Sequence, residues 1–281
     1  MKSIASPILI QQITEAILPH YEPTEARAIA FRCLDLGWNL SSMDIMLKKE
    51  VDLSEDWSSL LARLAAGEPL QYVMGKTYFR DHLFAVNADT LIPRPETEEL
   101  VDLVLRHAPE NASVLDVGTG SGCIPISLKL EQPSLKLEAW DISAGALKMA
   151  RKNSESLQAE VNFKQQDIFS WPSSVGTWDV IVSNPPYVTE DEKKEMANHV
   201  LDHEPHLALF VPTDDALKYY EALADFAQER LQDGGYLILE INQYFGTQTV
   251  ELLFSKGFQE IKLLTDFKEN DRMIIAQKSG L

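Results

Sequence analysis

Apolar positions recur at helical spacing through residues 1–70: Ile13 and Ile17, then Ala26, Ile29, Ala30, Cys33 and Leu34. Intervals of three and four put these side chains on one face of each segment, and no convincing alternating stretch interrupts them, so a small helical bundle is expected there. Thr24, Ser41 or Ser42, and Ser54 are the expected helix starts, because a hydroxyl there can accept from an orphaned backbone N–H. Gly37 and Gly67 are the expected stops. From Tyr72 the texture turns aromatic and β-branched, through Tyr78-Phe79 and Leu83-Phe84 to Leu91-Ile92, with Asp81-His82 as a turn. This predicts a β-hairpin linker over residues 71–92. Pro93-Arg94-Pro95 followed by Glu96, Glu98 and Glu99 then opens a helix expected to run to about His107.

After Asn111 the period switches. Apolar runs at 113–117, 135–140, 161–163, 180–182 and 236–241 alternate with helical stretches at 124–130, 144–157 and 216–231. Strands alternating with helices imply an α/β fold with a mostly parallel sheet wound on both faces. Two further strand-like runs, 258–264 and 272–277, are separated only by a loop and are expected to close the sheet as an antiparallel hairpin. That makes seven strands in residues 93–281, behind the helical bundle and the hairpin.

The 43 acidic residues against 25 basic ones leave a net charge of -18. Such a surface repels phosphate backbones and anionic membranes, so free nucleic acid is a disfavoured partner and a basic protein a better one. Cys33 and Cys123 have no metal-ligand spacing and suit a reducing compartment. Without a signal-like or bilayer-length apolar run, the cytoplasm is the expected location.

Chemistry gathers at predicted strand ends. Asp116-Val117-Gly118-Thr119-Gly120-Ser121-Gly122 leaves a buried strand for a helix, where glycines let a ligand approach the backbone. Cys123 stands where the dinucleotide fingerprint needs its third glycine, which disfavours a pyrophosphate ligand. Asp141 ends the next strand, 23 residues after Gly118, near the interval of about 20 usual for an acid that accepts from ribose hydroxyls. Asp167 follows the third strand, placed to accept from an adenine amino group while the Ile168 N–H donates to the ring. Together these point to a nucleoside ligand.

Asn184-Pro185-Pro186-Tyr187 ends the fourth strand abruptly, because neither proline supplies a backbone N–H. A planar NH2 group suits this stop: its two protons can meet Asn184 Oδ1 and the Pro185 carbonyl while Tyr187 covers its π-face. His199 and His203 have the four-residue spacing of helical zinc ligands, but Val200 stands where the metal motif needs a glutamate. A loop with solvated histidines is expected, with no metal; Thr189 to Lys194 reads as a solvated helix start.

Taken together, these residues resemble the class I S-adenosylmethionine-dependent methyltransferases, Rossmann-like enzymes, acting on amino groups attached to planar systems. Pro93-Arg94-Pro95-Glu96-Thr97-Glu98 ahead of the unit, Glu204-Pro205 after the Asn-Pro-Pro-Tyr turn, and the N-terminal helices joined by a hairpin are similar to the protein-(glutamine-N5) methyltransferases, also called HemK or PrmC. That resemblance implies methylation of the glutamine in the Gly-Gly-Gln loop of peptide-chain release factors. By motif, Gly118, Thr119, Gly120, Ser121, Gly122, Asp141, Asp167, Ile168 and Asn184 would hold S-adenosylmethionine. Asn184, Pro185, Pro186 and Tyr187 would hold the glutamine. The Asn-Pro-Pro-Tyr turn is shared with adenine and cytosine amino-methyltransferases of nucleic acids, which are the alternative. Two departures from the family pattern are Asp214-Asp215-Ala216-Leu217 in place of Asp-Gly-Leu, and Asn242 where a glycine is commoner.

Overall fold

The computed structural model describes residues 2–53 and 55–280. The chain divides into two compact units. The larger holds Tyr78–Ala85, Asp89–Met196 and the residues from Glu204 onward; the smaller holds the residues up to Thr77, with Val86–Ala88 and Ala197–His203.

A seven-stranded sheet organises the larger unit. Its strands, in chain order, are β1 (Ser113–Val117), β2 (Lys136–Asp141), β3 (Asn162–Gln165), β4 (Trp178–Ser183), β5 (Leu231–Glu240), β6 (Phe258–Thr265) and β7 (Asp271–Lys278). Across the sheet the order is β6-β7-β5-β4-β1-β2-β3. The five strands from β5 to β3 are parallel, and β7 runs antiparallel between β5 and β6. This is the doubly wound arrangement expected from the alternating pattern.

The central strand β4 is covered on both faces, which is why its middle reads as an unbroken apolar run, whereas the edge strand β3 buries only Phe163. Val180, Ile181 and Val182 have no exposed surface. Their side chains alternate: Val180 and Val182 pack with Leu100, Val104 and Ile126 in one core, and Ile181 packs with Leu223 and Phe226 in the other. Each such apolar side chain contributes about 1.5–3 kcal/mol on burial. Register then aligns the strand ends, because Val117 lies opposite both Trp140 and Ser183, and Ser183 opposite Leu239. One carboxyl edge results, and the glycine loop, Asp141, Asp167 and the Asn184 turn all lie at strand ends along it.

The helix Gly246–Ser255 was not expected from the pattern. Its buried face consists of Gly246, Thr249 and Leu253, so two of the three positions that set its period carry no apolar signal. The hairpin pairs Lys76–Phe79 with His82–Ala85 and turns on Arg80 and Asp81, whose φ values are +47° and +61°. That is one residue earlier than expected. Phe79 and Phe84 enter the same core as β1 and β2, and Asn153 bonds both the N–H and the carbonyl of Ala85. Tyr72 and Val73, read as strand-like, belong instead to the helix Leu70–Met74, which buries Leu70 and Val73 three residues apart. Leu91 and Ile92 lie outside any strand.

The smaller unit contains the helices Ser6–Ile17, Pro23–Trp38, Ser42–Met46, Trp57–Ala65 and Leu70–Met74. Ser41 caps as expected: its hydroxyl accepts from the Asp44 N–H while the Asp44 carboxylate accepts from the Ser41 N–H, at 3.2 and 2.9 Å. Thr24 is no cap, since Pro23 already opens that helix with Glu22 as its extended flanking residue. Ser54 lies outside the described residues. Gly37 does not stop its helix, which continues to Trp38 and ends on left-handed Asn39; Gly67, at φ +86°, does follow one. A short antiparallel pair, Lys2–Ala5 with Glu50–Leu53, was not expected, because Val51 is the sole buried position of Glu50–Leu53 and four residues carry too little alternation to read. Among the described residues no helix is long and apolar enough to cross a membrane.

Candidate active site

The glycine loop leaves β1 and folds back on β2. Gly118 and Thr119 donate their N–H groups to the Trp140 carbonyl at 2.9 and 3.0 Å, and Gly120 donates to Asp141 Oδ2 at 2.8 Å. Gly118, Gly120 and Gly122 all have positive φ, which only glycine adopts readily. Their surroundings differ. A Cβ on Gly118 or Gly120 would meet no atom within 4 Å, whereas one on Gly122 would lie 2.9 Å from Ile126 Cδ1 and 3.1 Å from Ala150 Cβ. The first two border open space; Gly122 is there for close packing of loop on helix.

Several buried oxygens around this loop have no hydrogen-bond partner: both carboxyl oxygens of Asp116, Thr119 Oγ1 and Ser121 Oγ. Orphaned buried polar atoms are rare in native proteins, and several around one open-sided loop mark a polar ligand's cradle. Burial pushes the Asp116 carboxyl up to about 7, with the Thr119 hydroxyl opposing the rise and the charge of Asp141 adding to it. These atoms suit a ligand with cationic and hydroxyl donors, as S-adenosylmethionine has.

Asp141 is part of the loop's own structure. Its Oδ1 accepts from the Ser143 N–H at 2.8 Å while Oδ2 holds Gly120, and burial raises its pKa against those backbone bonds. Asp167 Oδ1 accepts from the Phe169 N–H at 2.9 Å, and the Ile168 side chain is buried in the core, which leaves only its backbone for a ligand. Beside the two acids, Ile142 and Phe169 are 49% and 46% exposed. The sequence reading did not single out these two; exposed apolar side chains beside a ribose-type and an adenine-type acid suit the faces of a flat ring.

The turn Asn184-Pro185-Pro186-Tyr187 follows β4. Asn184 is half-buried, Pro185 buried, and Pro186 and Tyr187 half-buried. Asn184 Nδ2 donates to Thr97 Oγ1 at 3.2 Å, and Thr97 donates to Glu240 Oε2 at 2.7 Å. Tyr187 donates its hydroxyl to Glu240 Oε1 at 3.2 Å. Burial and the charge of Glu240 push the Tyr187 phenol up. Asn242 Nδ2 donates to the Tyr187 carbonyl at 3.0 Å and to Glu192 Oε2 at 2.9 Å, and Glu192 also accepts from the Thr189 N–H at 2.8 Å. The departure at Asn242 therefore has a local effect: it ties the end of β5 to the segment after the turn.

Arg94 and Glu204, 110 residues apart, form an ion pair at 2.6 Å, and Glu204 Oε2 accepts from the Ile92 N–H at 3.2 Å. The stiff segment before helix Pro95–His107 is thus clamped to the Glu204-Pro205 segment. Thr97, Glu240 and Asn242 were not singled out as site residues. A carboxylate closing the apolar run Leu237-Ile238-Leu239 was the available signal for Glu240.

His199 and His203 lie on the short helix Asn198–His203 rather than in the expected loop. The His199 ring sits 5.0 Å from that of Tyr21, and His206 packs edge-on to Phe210 at 5.1 Å. Thr189 caps a short 3-10 helix, Glu190–Glu195, in agreement with the helix start read there.

The model of the methyltransferase small domain matches residues 97–209. The release factor glutamine methyltransferase of Bacteroides thetaiotaomicron is 42% identical over 95% of this chain and 98% of that protein. The enzyme of the same name from Flavobacterium psychrophilum is 39% identical over 94% and 95%. Among solved structures, a methyltransferase from Pyrococcus furiosus superposes with TM-score 0.52 at 17% identity, covering 70% of this chain and 88% of that one.

Proposed function

The chain belongs to the release factor glutamine methyltransferases, and from that membership we propose that it methylates the N5 side-chain nitrogen of the glutamine in the Gly-Gly-Gln loop of peptide-chain release factors. One observation supports the reading most: Val117 lies opposite Ser183, so the open glycine loop and the Asn184 turn leave neighbouring strand ends. A methyl donor and an amide acceptor would meet across that distance.

Gly118 to Gly122, Asp116, Asp141, Asp167 and the Ile168 backbone would hold S-adenosylmethionine. When bound, it supplies the methyl group as an electrophile on a positively charged sulfur. An amide nitrogen is a poor nucleophile, because its lone pair is delocalised into the carbonyl. Asn184 Oδ1 and the Pro185 carbonyl would accept the two N–H bonds, fix the nitrogen's approach and stabilise the positive charge that grows on it. Pro186 keeps this turn rigid, and Tyr187, anchored by its hydroxyl, covers the amide. As the nitrogen–carbon bond forms, the carbon–sulfur bond breaks, and the proton of the methylated nitrogen passes to water. No strong base is required, since that cation is far more acidic than the amide.

We assign substrate recognition to the helices in residues 1–70, the link to the hairpin in 71–92, and methyl transfer to residues 93–281, in a cytoplasmic enzyme that tunes translation termination. Free nucleic acid is no substrate in this reading. Labelled S-adenosylmethionine is incubated with a release factor, with its Gln→Ala variant in Gly-Gly-Gln, and with duplex DNA. Label on the intact factor alone is expected; label on DNA, or undiminished label on the variant, overturns it.

A further inference from the structure

We propose that Glu240 is a positioning residue that sets, through Thr97, which end of the Asn184 carboxamide faces the acceptor. The inference rests on the acceptor-binding role given to Asn184 above. Glu240 ends β5 and is 1% exposed, with one hydroxyl on each carboxyl oxygen. An ionised carboxylate can only accept. Thr97 must therefore point its single proton at Glu240, and its oxygen is left able only to accept. The Asn184 group 3.2 Å away must then be the NH2 end, which turns Oδ1 out of the relay.

The consequence is a polarity. With the carboxylate in place, Asn184 presents an acceptor to the incoming NH2. Without it, Thr97 is free to donate to Oδ1, the carboxamide turns over, and two NH2 groups face each other. The Tyr187 hydroxyl, held by the same carboxylate, is fixed by the same group. Arg272, whose charge bears on Glu240, favours the ionised form along with the two hydroxyl donors, against the burial that raises the Glu240 pKa. Glu240, Thr97 and Asn184 come from three separate elements, so the relay exists only in the folded edge.

Thr97→Val removes the hydroxyl at nearly constant shape, and Thr97→Ser restores it. The expected result is a kcat roughly 10- to 100-fold lower for Thr97→Val, less than the roughly 100- to 1000-fold of losing a direct preorganised contact because Thr97 acts through Asn184, with the KM for release factor and the cofactor affinity by calorimetry little changed. Thr97→Ser recovers most of that loss, and Glu240→Gln lowers kcat in the same way. In an Asn184→Ala background, Thr97→Val adds no further loss, because its route to the substrate is gone. Unchanged cofactor affinity shows that each variant is folded. If Thr97→Val turns over normally while Asn184→Ala is impaired, or if the two losses multiply, this inference fails and the acceptor reading stands. Normal turnover by Asn184→Ala overturns both.

Discussion

Replacing Asp116 by asparagine tests the cradle quantitatively. The Asp116 carboxyl is fully enclosed at the end of β1, and burial, opposed by the Thr119 hydroxyl, carries it from 3.8 to about 7. Its value in the folded protein lies above that in the unfolded chain, so the neutral form causes no penalty at low pH and stability is lost as pH rises through about 7. The interval corresponds to about 4 kcal/mol in all, of which about 2.5 kcal/mol falls between about pH 5 and pH 8. Asp116→Asn keeps the shape and removes the ionisation. Any cost of burying the amide is the same at every pH, and so cancels from the difference. Urea unfolding of the cofactor-free protein at both pH values should therefore show the wild type losing about 2.5 kcal/mol more than the variant. Parallel pH dependence in the two proteins would refute the assignment of Asp116 as an uncompensated buried acid.

Three further substitutions separate the parts of the site. Asn184→Ala should leave cofactor affinity nearly intact and lower methyl transfer by about 100-fold or more; near-normal turnover would remove the acceptor clamp. Asp141→Ala should weaken cofactor binding about 10-fold or more, as expected for losing charge-assisted hydrogen bonds, and it also frees the Gly120 N–H; unchanged affinity by calorimetry would count against it. Gly122→Ala forces a Cβ to 2.9 Å from Ile126 and 3.1 Å from Ala150 at φ +81°, so chemical denaturation should show a loss of about 2–4 kcal/mol, combining overpacking with left-handed strain. Wild-type stability in that variant would mean the loop relaxes away.

The centre of the sheet was legible because burial on both faces writes a strand such as β4 as an apolar run, and the strand 113–117 is observed at its expected bounds. The placement of the glycine loop and the Asn184 turn at strand ends was legible for a related reason: runs of glycine or proline stop a buried strand. What the chain hid is whatever depends on distant partners. Thr97 reads as an ordinary residue in a helix's first turn, and its bond to Glu240 spans 143 positions. Asp141 was read for a ribose alone, since nothing local announces that it also holds Gly120. Asn242 stood out only as a departure, until the fold placed it against Glu192 and the Tyr187 carbonyl. The glycines, alike in sequence, differ in role because only the fold puts Ala150 behind Gly122.

Tandem mass spectrometry of a release factor treated with this protein and S-adenosylmethionine locates the transferred methyl group directly. One added methyl on the Gly-Gly-Gln glutamine side chain is expected, formed at least about 100-fold more slowly when Asn184→Ala replaces the wild type; an unmodified glutamine, or a methyl at another residue, would contradict the proposed transfer to that side-chain nitrogen.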